Sequence, residues 1–137
     1  MKIYADGSCI GNHLHDKTKR ISHIAYIVYK DGLMLRTELK KTKVNTNQSA
    51  EWVAILEALK YCQKYVPGEQ IEIFSDCKNV VNIANGKSQP RAAHMKRYLE
   101  DFKKYSAGLN VKISWVPRKE NEAGKHIENN LDKMRKE

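Results

Sequence analysis

Long hydrophobic runs are what this chain most plainly lacks. Its apolar stretches, such as Ile24 to Tyr29, fall far below the roughly 20 residues that a membrane-spanning helix needs, so no such helix and no membrane partner are expected. Cysteine is scarce as well. Cys9, Cys62 and Cys77 have neither the paired spacing of a zinc site nor the density of a disulfide scaffold, and reduced, half-buried thiols are expected. The opening residues Met1-Lys2-Ile3-Tyr4-Ala5-Asp6 put an acid where an export signal would need its apolar stretch, which points to the cytoplasm. No internal repeat and no Pro- or Ser-rich linker divides the sequence. Its 137 residues suffice for one domain and are too few for two, so residues 1–137 are read as a single unit. Acidic residues are in the minority, 16 against 25 Lys and Arg, which leaves a formal charge of +9. A small body with that excess attracts phosphate polymers or anionic surfaces more readily than neutral metabolites. An apolar content of 41% still builds a folded core and argues against disorder.

Lys2 to Ala5 reads as a short strand leading to Asp6-Gly7-Ser8. Ile21 to Tyr29 reads as a longer one ending at Lys30-Asp31-Gly32, where Asp-Gly signals a hairpin and Leu33 to Leu39 returns. After Asn45-Thr46-Asn47 the period changes to helical spacing, with Val53, Ile55, Leu56, Leu59 and Cys62 apolar until Pro67-Gly68 stops the run. Gln70 to Ser75 is a strand buried on both sides. Val80 to Ala84 is a short helix ending near Gly86, and Pro90 opens a longer one through Met95, Leu99 and Phe102 to about Ser106. Val111, Ile113 and Trp115 alternate as a fifth strand with Trp115 in the core, and Ile127, Leu131 and Met134 form the stripe of a last helix. The order predicts a mixed α/β sheet of five strands, three antiparallel plus two parallel, flanked by helices.

Four acids stand where this architecture could bring them together. Asp6 lies on or just past the end of the first strand, Glu51 in the first turns of the first helix, Asp76 immediately after the fourth strand and Asp132 on the last helix. If the first and fourth strands are parallel neighbours, Asp6 and Asp76 leave the same edge, where sites concentrate in open α/β sheets. Clustered carboxylates repel one another unless cations neutralise them, and an oxygen-only set without His or Cys suits Mg²⁺ better than zinc. Two such ions about 4 Å apart would activate a water and stabilise the leaving oxygen of a phosphodiester. Any single Asp at a strand end is more often a turn residue or a helix cap. Spacing leaves both readings open.

Asp6-Gly7-Ser8-Cys9-Ile10-Gly11-Asn12, then Thr46-Asn47-Gln48-Ser49-Ala50-Glu51, then Phe74-Ser75-Asp76-Cys77, then Trp115-Val116-Pro117 resemble, in order and over nearly the full length, the motifs of type 1 ribonuclease H. The resemblance implies an RNase H-like fold and an endonuclease that hydrolyses the RNA strand of an RNA–DNA hybrid with two Mg²⁺, or Mn²⁺, leaving 3′-hydroxyl and 5′-phosphate ends. It implies Asp6, Glu51, Asp76 and Asp132 as catalytic metal ligands, with Asn12, Thr46, Asn47 and Gln48 touching the hybrid, where minor-groove contacts read 2′-hydroxyls. A monomer is expected.

Several residues depart from the family pattern. Aligned without gaps on Trp115-Val116-Pro117-Arg118, the fourth acid becomes Lys125; alignment on Leu131-Asp132-Lys133-Met134 gives Asp132 at the cost of about three extra loop residues, which loops accept more easily than a metal site accepts an ammonium. Glu128 is the fallback. Glu122 stands where many members carry a loop His, and His126 is nearby. His13 and His15 interrupt the usual glycine-rich stretch without the further ligands zinc needs, and only Gly86-Lys87-Ser88-Gln89 stands where some members insert a basic handle. Cys9 and Cys77 flank proposed ligands and could link activity to oxidation. Two other functions fit the sequence: a hybrid-binding module that has lost its chemistry, and a nuclease of the same fold with another nucleic-acid substrate.

Overall fold

Asp31 and Gly32 both adopt positive φ, 52° and 80°, which is what a two-residue hairpin loop requires of its central pair. The computed structural model describes the backbone of residues 1–10, 21–44 and 46–136 and the side chains of residues 1–9, 21–44 and 46–130. The Asp31-Gly32 hairpin joins β2 (Ile21–Lys30) to β3 (Leu33–Thr42), and β2 also pairs antiparallel with β1 (Lys2–Ile10). Next come α1 (Asn47–Tyr65), β4 (Gln70–Ser75), α2 (Lys78–Ala84), α3 (Ala93–Ser106), β5 (Asn110–Trp115), a short 3₁₀ turn (Arg118–Glu120) and α4 (Glu122–Lys136). The strands lie in the order β3-β2-β1-β4-β5, with β4 parallel to β1 and β5 parallel to β4. This is the expected five-stranded mixed sheet.

α1 supplies most of one face of the core. Thr46 caps it, the Ser49 N–H donating to Thr46 Oγ1 at 3.1 Å, and the helix closes at Val66 just before Pro67. Trp52, Ile55 and Leu59 are fully buried against Ile3, Ala5, Ile24 and Ile73 of the sheet, each such side chain contributing about 1.5–3 kcal/mol. Trp52 is thus a core residue. α4 covers part of the opposite face, where Ala123 and Ile127 pack on Ala25 of β2 with Tyr4 and Leu39 alongside.

Five sequence expectations need correction. β1 extends to Ile10, so Asp6 sits inside the strand, because β2 pairs with β1 along its full length. α3 starts at Ala93 and Pro90 lies outside it. Trp115 is 42% exposed, since it stands at the end of the edge strand β5, beyond Ile113, which is buried on the same face. Cys9 and Cys62 are buried, and only Cys77 is half-buried. β4 buries Ile71 and Ile73 on one face and leaves Phe74 half-buried on the other, stacked on Tyr4 with ring centroids 5.1 Å apart.

Candidate active site

The parallel register of β1 and β4 sets the site. Tyr4 is level with Phe74, and beyond that pair the strands part: β4 ends at Ser75 and turns toward α2, while β1 continues beside β2. Asp6 and Asp76 therefore emerge level with each other at the point where the sheet divides, the crevice in which open α/β sheets bind ligands. Gly7 lets α1 descend onto the strand. A Cβ at Gly7 would meet the Ala50 carbonyl carbon at 2.1 Å, so only glycine allows this approach, which delivers Glu51 to the same crevice.

The result is a three-carboxylate cluster. One ligand oxygen from each of Asp6, Glu51 and Asp76 lies within 4.8 Å of the others, and Asp6 and Glu51 are buried. They line a cleft of about 360 Å³ with Ser8, Cys9, Asn47, Gln48, Cys77 and Arg118. Burial raises the Asp6 carboxyl from 3.8 to about 6, assisted by the charge of Asp76 and opposed by Arg118. Burial and the neighbouring Asp6 push Glu51 well above the usual carboxylate range, so the two acids titrate together as a pair. Burial also raises Asp76, with Arg118 and a hydrogen bond from Asn121 working against it. Three oxygen donors that cannot all ionise together form a donor set fitted to a hard divalent cation and poorly fitted to zinc.

Neighbouring groups hold these acids in place. The Ser75 hydroxyl faces Glu51 Oε2 at 3.5 Å and accepts the Cys77 N–H at 3.2 Å. Asn121 is fully buried; its Nδ2 donates to the Ala5 carbonyl at 3.0 Å, and its Oδ1 accepts the Ala123 N–H at 3.1 Å at the start of α4. The exposed Trp115 donates from Nε1 to the Asp76 carbonyl at 3.1 Å, and Lys78 Nζ lies 4.5 Å from its ring centroid. Asn121, Ser75 and Arg118 escaped the sequence reading as site residues. An Asn opening the apolar pattern of α4 was a readable cap signal; the other two had none.

Among the substrate-contact candidates, Asn47 and Gln48 line the cleft. Asn47 Oδ1 accepts the Cys9 N–H at 2.8 Å, which ties the start of α1 to β1, and Gln48 Oε1 accepts Asn79 Nδ2 at 3.1 Å. Thr46 spends its hydroxyl as the cap of α1. Asn12, His13 and His15 lie outside the described residues. On α4 the residue set against Asp6 is Gly124, where a Cβ would lie 3.0 Å from Asp6 Oδ2. Asp132 is eight residues further along, about 12 Å at 1.5 Å per residue, and its side chain lies outside the described set. Lys125 turns to Glu122, Nζ to Oε1 3.5 Å. Glu122 also lines a separate hollow beside Met1 and Tyr4, and His126 faces Asn130. Glu128 pairs with Arg118 at 3.4 Å. Among the described residues, the metal-binding geometry contains three acids.

The sequence profile of the RNase H family matches residues 1–132. The chain belongs to the RNase H family. Solved structures of the family share its fold. RNase H1 of the halophilic archaeon Halobacterium salinarum superposes with a TM-score of 0.83 at 22% identity, over 96% of this chain and 97% of that one. LC11-RNase H1 in complex with an RNA/DNA hybrid gives 0.83 at 18% identity, over 97% of each chain. The N-terminal RNase H domain of Rv2228c from Mycobacterium tuberculosis gives 0.79 at 19%, over 91% and 92%. No curated protein sequence matches the chain.

Proposed function

We propose that this protein is a divalent-metal-dependent endonuclease that hydrolyses the RNA strand of RNA–DNA hybrids and leaves 3′-hydroxyl and 5′-phosphate ends. The observation that carries the reading is the convergence of Asp6, Glu51 and Asp76 within 4.8 Å at the division of the sheet, in a chain of the RNase H family. The three carboxylates would hold Mg²⁺, with Mn²⁺ as an alternative, and bound ions supply charge neutralisation at the phosphate and a water activated for attack. The protein's own contributions are placement and charge. Burial raises the proton affinity of Asp6 and Glu51, so a bound cation would compete with protons for them. Ser75 and Asn121 hold Glu51 and Asp76 in line, and Asn47 and Gln48 present amides, each with donors and an acceptor, to the duplex entering the cleft.

The deciding experiment is cleavage of a labelled hybrid in Mg²⁺ beside double-stranded RNA and double-stranded DNA. Asp76→Asn is expected to reduce hybrid cleavage by at least about 10³-fold while the far-UV spectrum stays native; full activity in the variant would refute the site. Lys125 at the ungapped fourth position favours a second reading, a module that binds hybrid without cutting it. Metal-independent binding with no cleavage in Mg²⁺ or Mn²⁺ would establish that reading instead.

A further inference from the structure

Three carboxylates at the base of a cleft repel the phosphate backbone that must enter it, so a cation at the rim is needed to draw the strand in. Among the described residues lining the cleft, Arg118 is the one cationic side chain. It stands on the 3₁₀ turn between β5 and α4, anchored by the buried Asn121 that follows. Its side chain is 80% exposed, open to a ligand, and the guanidinium is steadied by Glu128 Oε1 at 3.4 Å from α4. Glu128 lies one helical turn past Gly124, the residue set against Asp6, so Arg118 is held at the α4 side of the cleft. Arg118 lines the same cleft as Asp6 and Asp76.

We propose that Arg118 is a phosphate-binding residue, gripping the non-bridging oxygens of a backbone phosphate of the strand lying over the acidic cluster, and that Glu128 is its holder and not a metal ligand. The inference rests on the nucleic-acid reading above and adds to it the group that receives the backbone. A planar guanidinium with a fork of donors suits two phosphate oxygens at once, and an exposed carboxylate partner at 3.4 Å is weak enough to yield to one.

The test uses the full-length protein, a fluorescent RNA–DNA hybrid and binding measured in EDTA, so that cleavage does not enter. Arg118→Ala is expected to weaken hybrid binding by about tenfold and to reduce the slope of log affinity against log salt by about one. Glu128→Gln is expected to leave Mn²⁺ binding, followed by calorimetry, within about twofold of wild type. Unchanged hybrid affinity and slope in Arg118→Ala would overturn the proposal. So would a loss of Mn²⁺ affinity of about tenfold or more in Glu128→Gln, since that marks a ligand. A wild-type protein that binds hybrid but is indifferent to Arg118 sinks this inference alone; one that neither binds nor cuts hybrid removes the functional reading beneath it.

Discussion

Asp6 holds its proton more tightly in the folded chain than in the unfolded one, its carboxyl being raised by burial from 3.8 to about 6. The folded metal-free protein is therefore favoured at low pH, where Asp6 is protonated, and loses that advantage as pH rises from about 4 through about 6. The loss is at most about 3 kcal/mol for this one group. Glu51, raised in the same direction by burial and by Asp6, extends the decline to higher pH. A divalent cation reverses the trend, because it binds the deprotonated acids. Thermal melts in EDTA and in Mg²⁺ are expected to converge at pH 4 and to separate steadily toward pH 8; parallel curves would contradict the shared-proton cluster. Asp6→Asn removes the buried charge. It is expected to raise the EDTA melting temperature at pH 7.5 by about 5 °C, to abolish the Mg²⁺ shift and to abolish cleavage. Stability gained as activity is lost marks a site residue; an Asp serving only the fold would lose stability on the same change.

At the scale of elements, two close approaches build the site, α1 onto β1 at Gly7 and α4 onto β1 at Gly124. Asn121 locks the second by bonding both the Ala5 carbonyl of β1 and the Ala123 N–H of α4. Asn121→Ala strands a buried acceptor and a helix-start donor together, for a cost of roughly 2–4 kcal/mol, to be read by urea denaturation, and it frees Asp76, so cleavage is expected to fall as well. A cost below about 0.5 kcal/mol would show that water replaces both bonds. Asp6, Glu51 and Asp76 were legible in the sequence because strand and helix periods fix which elements exist, and a parallel β1–β4 pair then makes the two aspartates level. The residues that hold the acids were less legible. Ser75 reaches from the end of β4 to Glu51 on α1 and Arg118 sits in a three-residue turn, and neither leaves a periodic signal. Trp115 kept its strand alternation on the face of the buried Ile113, but alternation does not say how far along an edge strand the cover reaches. The fourth acid was ambiguous for a related reason. Spacing cannot decide how far along a helix a strand makes contact, and the structure sets Gly124 rather than a later residue against Asp6.

The whole molecule carries +9, and its acidic cluster runs against that sign. The excess resides on the surface: Lys96, Arg97, Lys103 and Lys104 are exposed along α3, while Lys41 and Lys43 precede the Thr46 end of α1. Neither group has many ion-pair partners. Among the described residues the cross-element pairs are Lys30–Glu69, Lys40–Glu57, Lys112–Glu72 and Arg118–Glu128. Unpaired surface cations add little to stability but gather counter-ions from a polyanion, and each phosphate neutralised releases a condensed cation. Among the described residues these two faces carry the clustered cations, and they are expected to supply much of the affinity. Hybrid binding is therefore expected to fall by about 10²–10³-fold between 50 and 200 mM KCl, corresponding to roughly four to six phosphate contacts. Reversing Lys96, Arg97, Lys103 and Lys104 to Glu separates the two faces. If α3 tracks the backbone, the variant loses several contacts' worth of slope while Asp6, Glu51 and Asp76 keep their Mg²⁺ response. If the slope persists, the strand runs over the Lys41–Lys43 side and α3 is a solvated helix face.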